Sequence, residues 1–223
     1  MTVQQMPEQE IPGVRPAEQK RSRLLQDKFV SAGRKMLLNT RLDDLSIPAL
    51  AGAAKSSVGG FYSRFESKEA FFGFLRMQML ADHMKLYDER LAPALFAGKG
   101  HRDVTEAFVD AMLAVFSGPW RGVLREAYSA IPERPESWAP MKARGQHLRG
   151  LITELYRPLV KLPEGLEERV SIAVQLLFSA LNNEMMNPNL AFGIEDPKFR
   201  LYLVAAFDTL VSGEAISIEE TRP

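Results

Sequence analysis

The chain has 223 residues, of which 46% are hydrophobic and 25% charged, a composition typical of a folded globular protein. It contains no cysteine, which excludes disulfides, thiolate catalysis and zinc sites built from cysteine. Lys and Arg balance Asp and Glu at 28 each, but residues 15–75 hold eleven basic and six acidic side chains, a net charge of +5. A basic N-terminal quarter beside an acidic remainder favours contact between that end of the molecule and a polyanion.

Residues 1–17 are polar and include three prolines, without the basic start and apolar run of a signal peptide. We therefore expect a disordered tail over residues 1–17. A long uncharged stretch, residues 171–183, is shorter than the roughly 18 residues of a membrane span and contains Gln and Asn. These observations predict a cytoplasmic protein with no membrane partner.

Capping and spacing signals predict four helices in the N-terminal third. Apolar side chains recur every three or four residues across residues 21–38, which predicts the first helix. Ser46, followed by a proline in the next turn, is a typical start for a short second helix, and Ser57 starts a third. The sequence Glu-Ser-Lys-Glu at residues 66–69 opens a long fourth helix.

Beyond residue 71, helical stretches recur between Pro and Gly residues, and the sequence has no alternating strand pattern. The sequence therefore predicts an all-α fold with one domain over residues 18–70 and another over residues 71–215. The predicted helix at residues 166–187 is apolar on two sides, so it either lies buried in its own domain or also packs on a twofold copy. The second alternative predicts a dimer interface made of Val170, Val174, Leu177, Leu181, Leu203, Phe207 and Leu210.

Residues 46–65 contain two short predicted helices separated by a tight break. The major groove of DNA admits one α-helix, and a helix that enters it by its N-terminus offers free amides to phosphate while its first residues reach base edges. The arrangement is therefore typical of a helix-turn-helix.

From about Arg21 to Phe72 the sequence resembles the TetR family of transcriptional regulators. The matching residues are Leu50-Ala51, Ala53-Ala54, Ser57, Gly59, Phe61-Tyr62, Phe65, Lys68-Glu69 and Phe71. The resemblance implies an N-terminal three-helix helix-turn-helix DNA-binding domain, followed by an all-helical ligand-binding and dimerisation domain. It also implies a homodimer that binds a palindromic site in double-stranded operator DNA, usually as a repressor that a small-molecule effector releases.

Most of the DNA contacts that this resemblance implies are made to phosphate, by the two cap serines, by the Tyr62 hydroxyl and by Lys68. Val58, Gly60 and Ser63 stand where family members commonly contact bases. The expected DNA-binding residues are Ser46, Lys55, Ser57, Val58, Gly59, Gly60, Tyr62, Ser63, Arg64 and Lys68.

Two departures from the family pattern bear on this interface. Lys55 and Ser56 replace the usual Gly-Val pair, and a left-handed conformation at Lys55 would cost about 1 kcal/mol. Each residue of the Gly59-Gly60 pair costs the recognition helix about 1 kcal/mol relative to alanine. Because Gly60 also has no side chain, base readout is expected to be sparse and to depend mainly on Val58 against a thymine methyl, on Arg64 and on DNA shape. Phe61 and Phe65, by contrast, are expected to hold this helix in the core.

The C-terminal domain is rich in apolar and aromatic residues, as a small-molecule pocket requires, although the same residues equally suit a simple core. We expect a largely apolar or aromatic effector, bound by polar side chains among Arg121, Arg125, His147 and Gln175. The candidate ligand-binding residues are Phe108, Met112, Phe116, Trp120, Arg121, Arg125, Tyr128, Trp138, His147 and Gln175.

Two other functions compete with an effector-controlled regulator. An enzyme has little support, because the three histidines are far apart and the sequence has no metal-ligand spacing or phosphate-binding glycine loop. We therefore expect no catalytic residues, no cofactor and no metal. A ligand-independent DNA-binding regulator controlled by a protein partner shares every DNA-facing feature, so the sequence leaves this alternative open.

Overall fold

A computed structural model describes residues 11–17, 19–130, 139–161, 163–187 and 191–213. Across these ranges the chain is all-helical, as predicted, and its only β-type pairing is an isolated bridge between Val14 and Phe65. A short 3-10 helix spans Pro93–Phe96. The α-helices are α1 (Lys20–Met36), α2 (Ile47–Ala53), α3 (Val58–Tyr62), α4 (Lys68–Arg90), α5 (His101–Ser117), α6 (Arg121–Ser129), α7 (Ala139–Tyr156), α8 (Leu166–Met186) and α9 (Pro197–Ser212).

The chain divides into two compact units. The first unit contains residues 11–81 together with residues 119–130, and the second contains the described residues of 82–118 and 139–213. This division differs from the predicted boundary at residue 70, because α4 continues the first unit to Ala81 and α6 packs with α1. The predicted domain boundary was placed where the helix-turn-helix motif ends, and nothing in that motif indicates that α6 packs on the N-terminal helices.

Side chains that accept hydrogen bonds from backbone amides start α2 and α3 where the sequence predicts. The amide of Ala49 donates to the Ser46 hydroxyl at 3.3 Å, and the amide of Gly60 donates to the Ser57 hydroxyl at 3.0 Å. Each bond satisfies an amide that has no partner within its helix. The predicted capping roles of both serines are confirmed.

Aromatic side chains form the core of the first unit. Phe61 and Phe65 are fully buried, as predicted, and their rings lie 5.6 Å and 5.0 Å from that of Phe71. Helix α1 approaches this cluster at Gly33, where an added Cβ would lie 2.5 Å from the Phe71 ring. Helix α6 approaches α1 just as closely, since a Cβ at Gly122 would lie 2.1 Å from the Leu37 carbonyl oxygen.

Residues 11–17 are ordered against the first unit, so the prediction of a disordered tail is wrong for them. The amide of Arg15 donates to the Arg64 carbonyl at 2.9 Å, and the amide of Glu66 donates to the Gly13 carbonyl at 2.8 Å. Gly13 adopts a φ of +77°, a conformation that most other residues avoid. The polar composition of this segment predicts neither the turn at Gly13 nor the backbone carbonyl groups that accept hydrogen bonds from the first unit. Residues 1–10 of the predicted tail lie outside the described residues.

The second unit packs α5, α7, α8 and α9 around an apolar core that also contains polar groups. The Asp208 carboxylate is buried and accepts a bond from His101 Nδ1 at 2.9 Å and another from the Thr105 hydroxyl. The Thr105 hydroxyl also bonds the Tyr156 hydroxyl. Burial raises the pKa of Tyr156, so this phenol stays protonated. The cluster connects the start of α5 to α7 and α9.

The dimer interface predicted from the sequence needs a correction. Five of its seven side chains, Val170, Val174, Leu177, Leu181 and Phe207, are at most 3% exposed in the single chain. They belong to the chain's own core, because a side chain already buried has no surface to offer a second copy. The two remaining residues, Leu203 and Leu210, are half-buried.

The opposite faces of α8 and α9 remain open. Ile172, Leu176 and Tyr202 are 44%, 50% and 41% exposed. The periodicity of α8 shows two apolar stripes but not which of them faces the core. Among the described residues, no helix combines the length and hydropathy needed to cross a bilayer.

Candidate nucleic-acid interface

The break between α2 and α3 is a tight helix-ending turn centred on Lys55. Lys55 donates its amide to the Gly52 carbonyl at 3.0 Å, and the amide of Ser56 donates to the Ala51 carbonyl at 2.9 Å. These two bonds define a Schellman motif, which requires a left-handed residue after the helix. Lys55 has a φ of +51° and is therefore in the left-handed conformation. The sequence analysis assigned this conformation a cost of about 1 kcal/mol. Its side chain is exposed beside the turn.

Helix α3 presents one face to solvent and the other to the aromatic core. Phe61 is fully buried, whereas Val58 is 39% exposed and Tyr62 is 47% exposed. The ring of Tyr62 packs edge-on against that of Phe61, with the ring centroids 5.4 Å apart. Ser63 is exposed at the end of the helix and donates its hydroxyl to the Gly60 carbonyl at 2.7 Å. The exposed face therefore combines one aliphatic group with two hydroxyls.

The two glycines of α3 have different surroundings. A Cβ at Gly59 would have only the Ser57 hydroxyl within contact distance, at 3.8 Å, so this position is open. A Cβ at Gly60 would lie 2.6 Å from the Ser56 hydroxyl and 3.9 Å from Leu25. Position 60 therefore points into the turn, and its predicted role as a base-contacting position is corrected to a packing role.

Arg64 is not on the exposed face, contrary to the prediction. Its side chain is buried, with 4% exposed, and its guanidinium donates to the Pro16 carbonyl, the Ser22 hydroxyl and the Gln26 amide oxygen at 3.0–3.1 Å. A further bond goes to the Arg15 carbonyl. Burial lowers the pKa of Arg64, and the charge of Arg15 adds to this effect. The guanidinium holds the N-terminal segment against α1, so it is not available to DNA.

Lys68 bonds the loop that precedes α2, and Ser46 ends this loop as the N-cap of α2. The Lys68 ammonium donates to the Leu42 and Asp43 carbonyl oxygens at 2.9 Å and 3.0 Å. These bonds order the loop and leave one ammonium hydrogen for an external acceptor, since an ammonium has three donors. Contact of Lys68 with phosphate stays a prediction.

A buried carboxylate fastens α6 to the end of α1. Glu126 is 5% exposed and accepts a bond from the Leu42 amide at 3.0 Å. The same carboxylate pairs with Arg41 at 3.1 Å and with Arg125 at 3.0 Å. The Arg125 guanidinium also donates to the Leu37 carbonyl at 3.0 Å. Arg125 therefore has a structural role within the first unit. The sequence analysis had instead predicted that it contacts the effector.

The predicted ligand-binding residues do not form one group. Phe108, Met112 and Phe116 are buried on α5 in the second unit. Four others belong to the first unit, namely Trp120, Arg121, Arg125 and Tyr128.

Two of the predicted polar anchors, His147 and Gln175, are exposed to solvent, and Arg121 is also exposed. None of the three is directed into a buried apolar site. Trp138 lies outside the described residues.

The sequence analysis did not predict one buried pair of polar side chains. His83 on α4 and Arg144 on α7 are 4% and 6% exposed, and their side chains meet at 2.8 Å. A signal was present, because Met141 and Leu148 lie three residues before and four residues after Arg144 and place it on the apolar face of α7.

The chain matches no protein-family model, and no curated protein matches its sequence. The described residues contain no group of His, Asp and Glu side chains arranged to hold a metal ion.

Proposed function

We propose that this chain is a transcriptional regulator of the TetR type that binds a palindromic operator in double-stranded DNA as a homodimer. The observation that carries the proposal is the division of α3 into two faces. Phe61 fixes the helix on the aromatic core, and Val58 and Tyr62 are exposed in the same short helix. Such a helix fits the width of the major groove, which admits one α-helix.

The proposed contacts follow from the exposed groups. Tyr62 and Ser46 donate hydroxyl hydrogens to phosphate, and Lys55 and Lys68 add positive charge on either side of α3. Val58 packs against a thymine methyl group, the one base contact for which this face has an aliphatic side chain. Because so few side chains reach the bases, the sequence-dependent shape of the duplex supplies the rest of the specificity.

Dimerisation uses the exposed apolar faces of α8 and α9 in this proposal. Ile172, Leu176 and Tyr202 are large side chains that gain burial against a second copy. A small, largely apolar or aromatic effector binds the second unit and releases the operator, provided that it binds the released conformation more tightly. The chain passes between the units within α4 and again on each side of α6.

The proposed contacts are tested on the duplex that the protein enriches from a random pool. Tyr62→Phe removes one charge-assisted hydrogen bond per protomer, two per dimer, and is expected to weaken binding by about 100-fold, equally for all sequences. Val58→Ala is expected to relax the preference at one position in each half-site. A Tyr62→Phe protein that binds as tightly as the parent contradicts the phosphate role.

The dimer face is tested separately by light scattering on Ile172→Glu combined with Leu176→Glu. We expect monomers, because two carboxylates would be buried in the interface. Leu95→Glu is the matched control, since Leu95 is 47% exposed and lies outside α8 and α9. A double variant that remains dimeric excludes this face.

A further inference from the structure

Arg144 is a buried cation whose hydrogen-bonding capacity is mostly unused. Its side chain is 6% exposed, and its one hydrogen-bond partner in the described part of the chain is His83, at 2.8 Å between Nη1 and Nδ1. The Nε atom is buried and has no partner. No carboxylate among the described residues pairs with this guanidinium.

The chemistry of the pair makes it a set of donors. A guanidinium stays protonated in proteins and only donates, so His83 Nδ1 must accept the bond. The neutral ring then carries its hydrogen on Nε2. Burial lowers the pKa of His83 to about 3, and the charge of Arg144 adds to this effect. The pair therefore offers the remaining hydrogens of Arg144 and one N–H of His83, with a single positive charge.

The positions around the pair are apolar. Met141 and Leu148 are buried one turn before and after Arg144 on α7, and Tyr87 is buried one turn after His83 on α4. A charge in such surroundings is costly unless an opposite charge or several hydrogen bonds accompany it.

Arg64 in the first unit is a buried arginine with both terminal nitrogens hydrogen-bonded, although its Nε atom, like that of Arg144, is buried without a partner. Arg64 donates to oxygens on four different residues of the first unit. Among the residues that the structure describes, Arg144 has one neutral nitrogen as its partner. The contrast indicates that Arg144 lacks an acceptor that comes from outside the described chain.

We propose that Arg144 and His83 bind the carboxylate of an effector whose remaining body is apolar. A carboxylate matches the planar fork of a guanidinium with two parallel hydrogen bonds and neutralises the buried charge. The binding site stands on its own geometry, and its regulatory consequence rests on the proposed function. This assignment replaces Arg121, Arg125, His147 and Gln175 as the polar anchors of the effector.

The test measures binding by calorimetry in the absence of DNA. The probes are benzoate, 4-phenylbutyrate and octanoate, each compared with its amide, which has the same shape and no charge. We expect one saturable site per chain for at least one acid, and binding weaker by about 10- to 100-fold for the matching amide. Equal binding of acid and amide, or no saturable binding of any acid, overturns the proposal.

Two variants separate a ligand contact from a structural role. Arg144→Met keeps an unbranched apolar stem and removes the charge, so carboxylate binding should fall by about 10- to 100-fold while the melting temperature of the free protein stays equal or rises. Arg149→Met, on the same helix but half-exposed, is the matched control and should bind as the parent does. Undiminished binding by Arg144→Met, or a lower melting temperature for it, overturns the proposal.

The same preparations are tested for enrichment of duplexes from a random pool. Carboxylate binding without DNA enrichment leaves the site standing and removes the proposed function. DNA enrichment without carboxylate binding does the reverse. When both occur, the bound acid is expected to release the enriched duplex from the parent and not from Arg144→Met.

Discussion

Arg64 in the first unit and Arg144 in the second are both buried, yet they differ in what surrounds the charge. Arg64 is enclosed by oxygens from the N-terminal segment and α1, whereas Arg144 meets a single imidazole nitrogen. The first unit therefore bonds both terminal nitrogens of its buried cation with its own backbone and side chains, and leaves only Nε without a partner. The second unit holds a buried cation with one neutral partner among the described residues, and the proposed carboxylate site rests on this difference.

The largest expected effect comes from Asp208, a buried acid in the second unit whose Oδ1 atom accepts two hydrogen bonds. Asp208→Ala leaves His101 and Thr105 without their shared acceptor, and we expect it to lower the free energy of unfolding by about 3–5 kcal/mol. The control is Asp196→Ala, which removes the exposed N-cap of α9 and should cost about 1 kcal/mol. Urea denaturation measures both. Equal losses would mean that the buried cluster contributes nothing beyond an ordinary cap.

Close packing of α6 on α1 gives the next largest effect. Gly122→Ala places a methyl group on the Leu37 carbonyl, which is backbone and cannot rotate away, so we expect a loss of about 3 kcal/mol in unfolding free energy. Gly52→Ala, in α2 with no atom within 4 Å of the new Cβ, should instead stabilise by about 0.5–1 kcal/mol. A neutral Gly122→Ala would show that α6 does not approach α1 this closely in solution.

The comparison of the two arginines is tested with the same substitution at both sites. Arg64→Met should lower the unfolding free energy by about 2 kcal/mol, because buried carbonyl groups lose their donor. It should also expose the Arg15 and Glu66 amides, whose bonds hold residues 11–17, to faster hydrogen exchange. Arg144→Met should cause no such loss. If both variants lose the same stability, the two guanidiniums have the same structural role and the comparison fails.

The smallest expected effect is at the turn between α2 and α3. Lys55→Asn retains a polar residue while relieving part of the left-handed strain, and we expect a gain of about 0.5 kcal/mol in thermal or urea unfolding. The matched control is Lys35→Asn, an exposed lysine inside α1, which should lose stability by a few tenths of a kcal/mol. A loss at Lys55→Asn would indicate that its ammonium stabilises the turn.

The parts of the fold that the sequence predicted are those governed by local chemistry. Ser46 and Ser57 cap their helices through bonds to amides three residues away, and the same short range defines the turn at Lys55. The burial of Phe61 and Phe65 follows from their spacing within one short helix and its continuation.

The parts that escaped prediction depend on contacts between distant residues. The spacing of the motif alone predicts that Arg64 is exposed and contacts DNA. Its side chain is instead buried, because its hydrogen-bond acceptors lie 38 to 49 positions away in the chain. Helix α8 has two apolar stripes, and only packing against α7 and α9 decides that the Val170 stripe is internal and the Leu176 stripe exposed. The ligand residues were chosen by composition, which does not distinguish an ordinary core from a site built around Arg144.

DNA binding by α3 is tested by selecting bound sequences from a random duplex pool with the purified full chain. We expect enrichment of a palindrome whose half-sites lie about one helical turn apart, since a twofold dimer presents two α3 helices. The double variant Val58→Ser with Tyr62→Ala should enrich nothing. Failure of the parent to enrich any duplex at low salt, where phosphate contacts are strongest, would contradict the claim that α3 binds DNA.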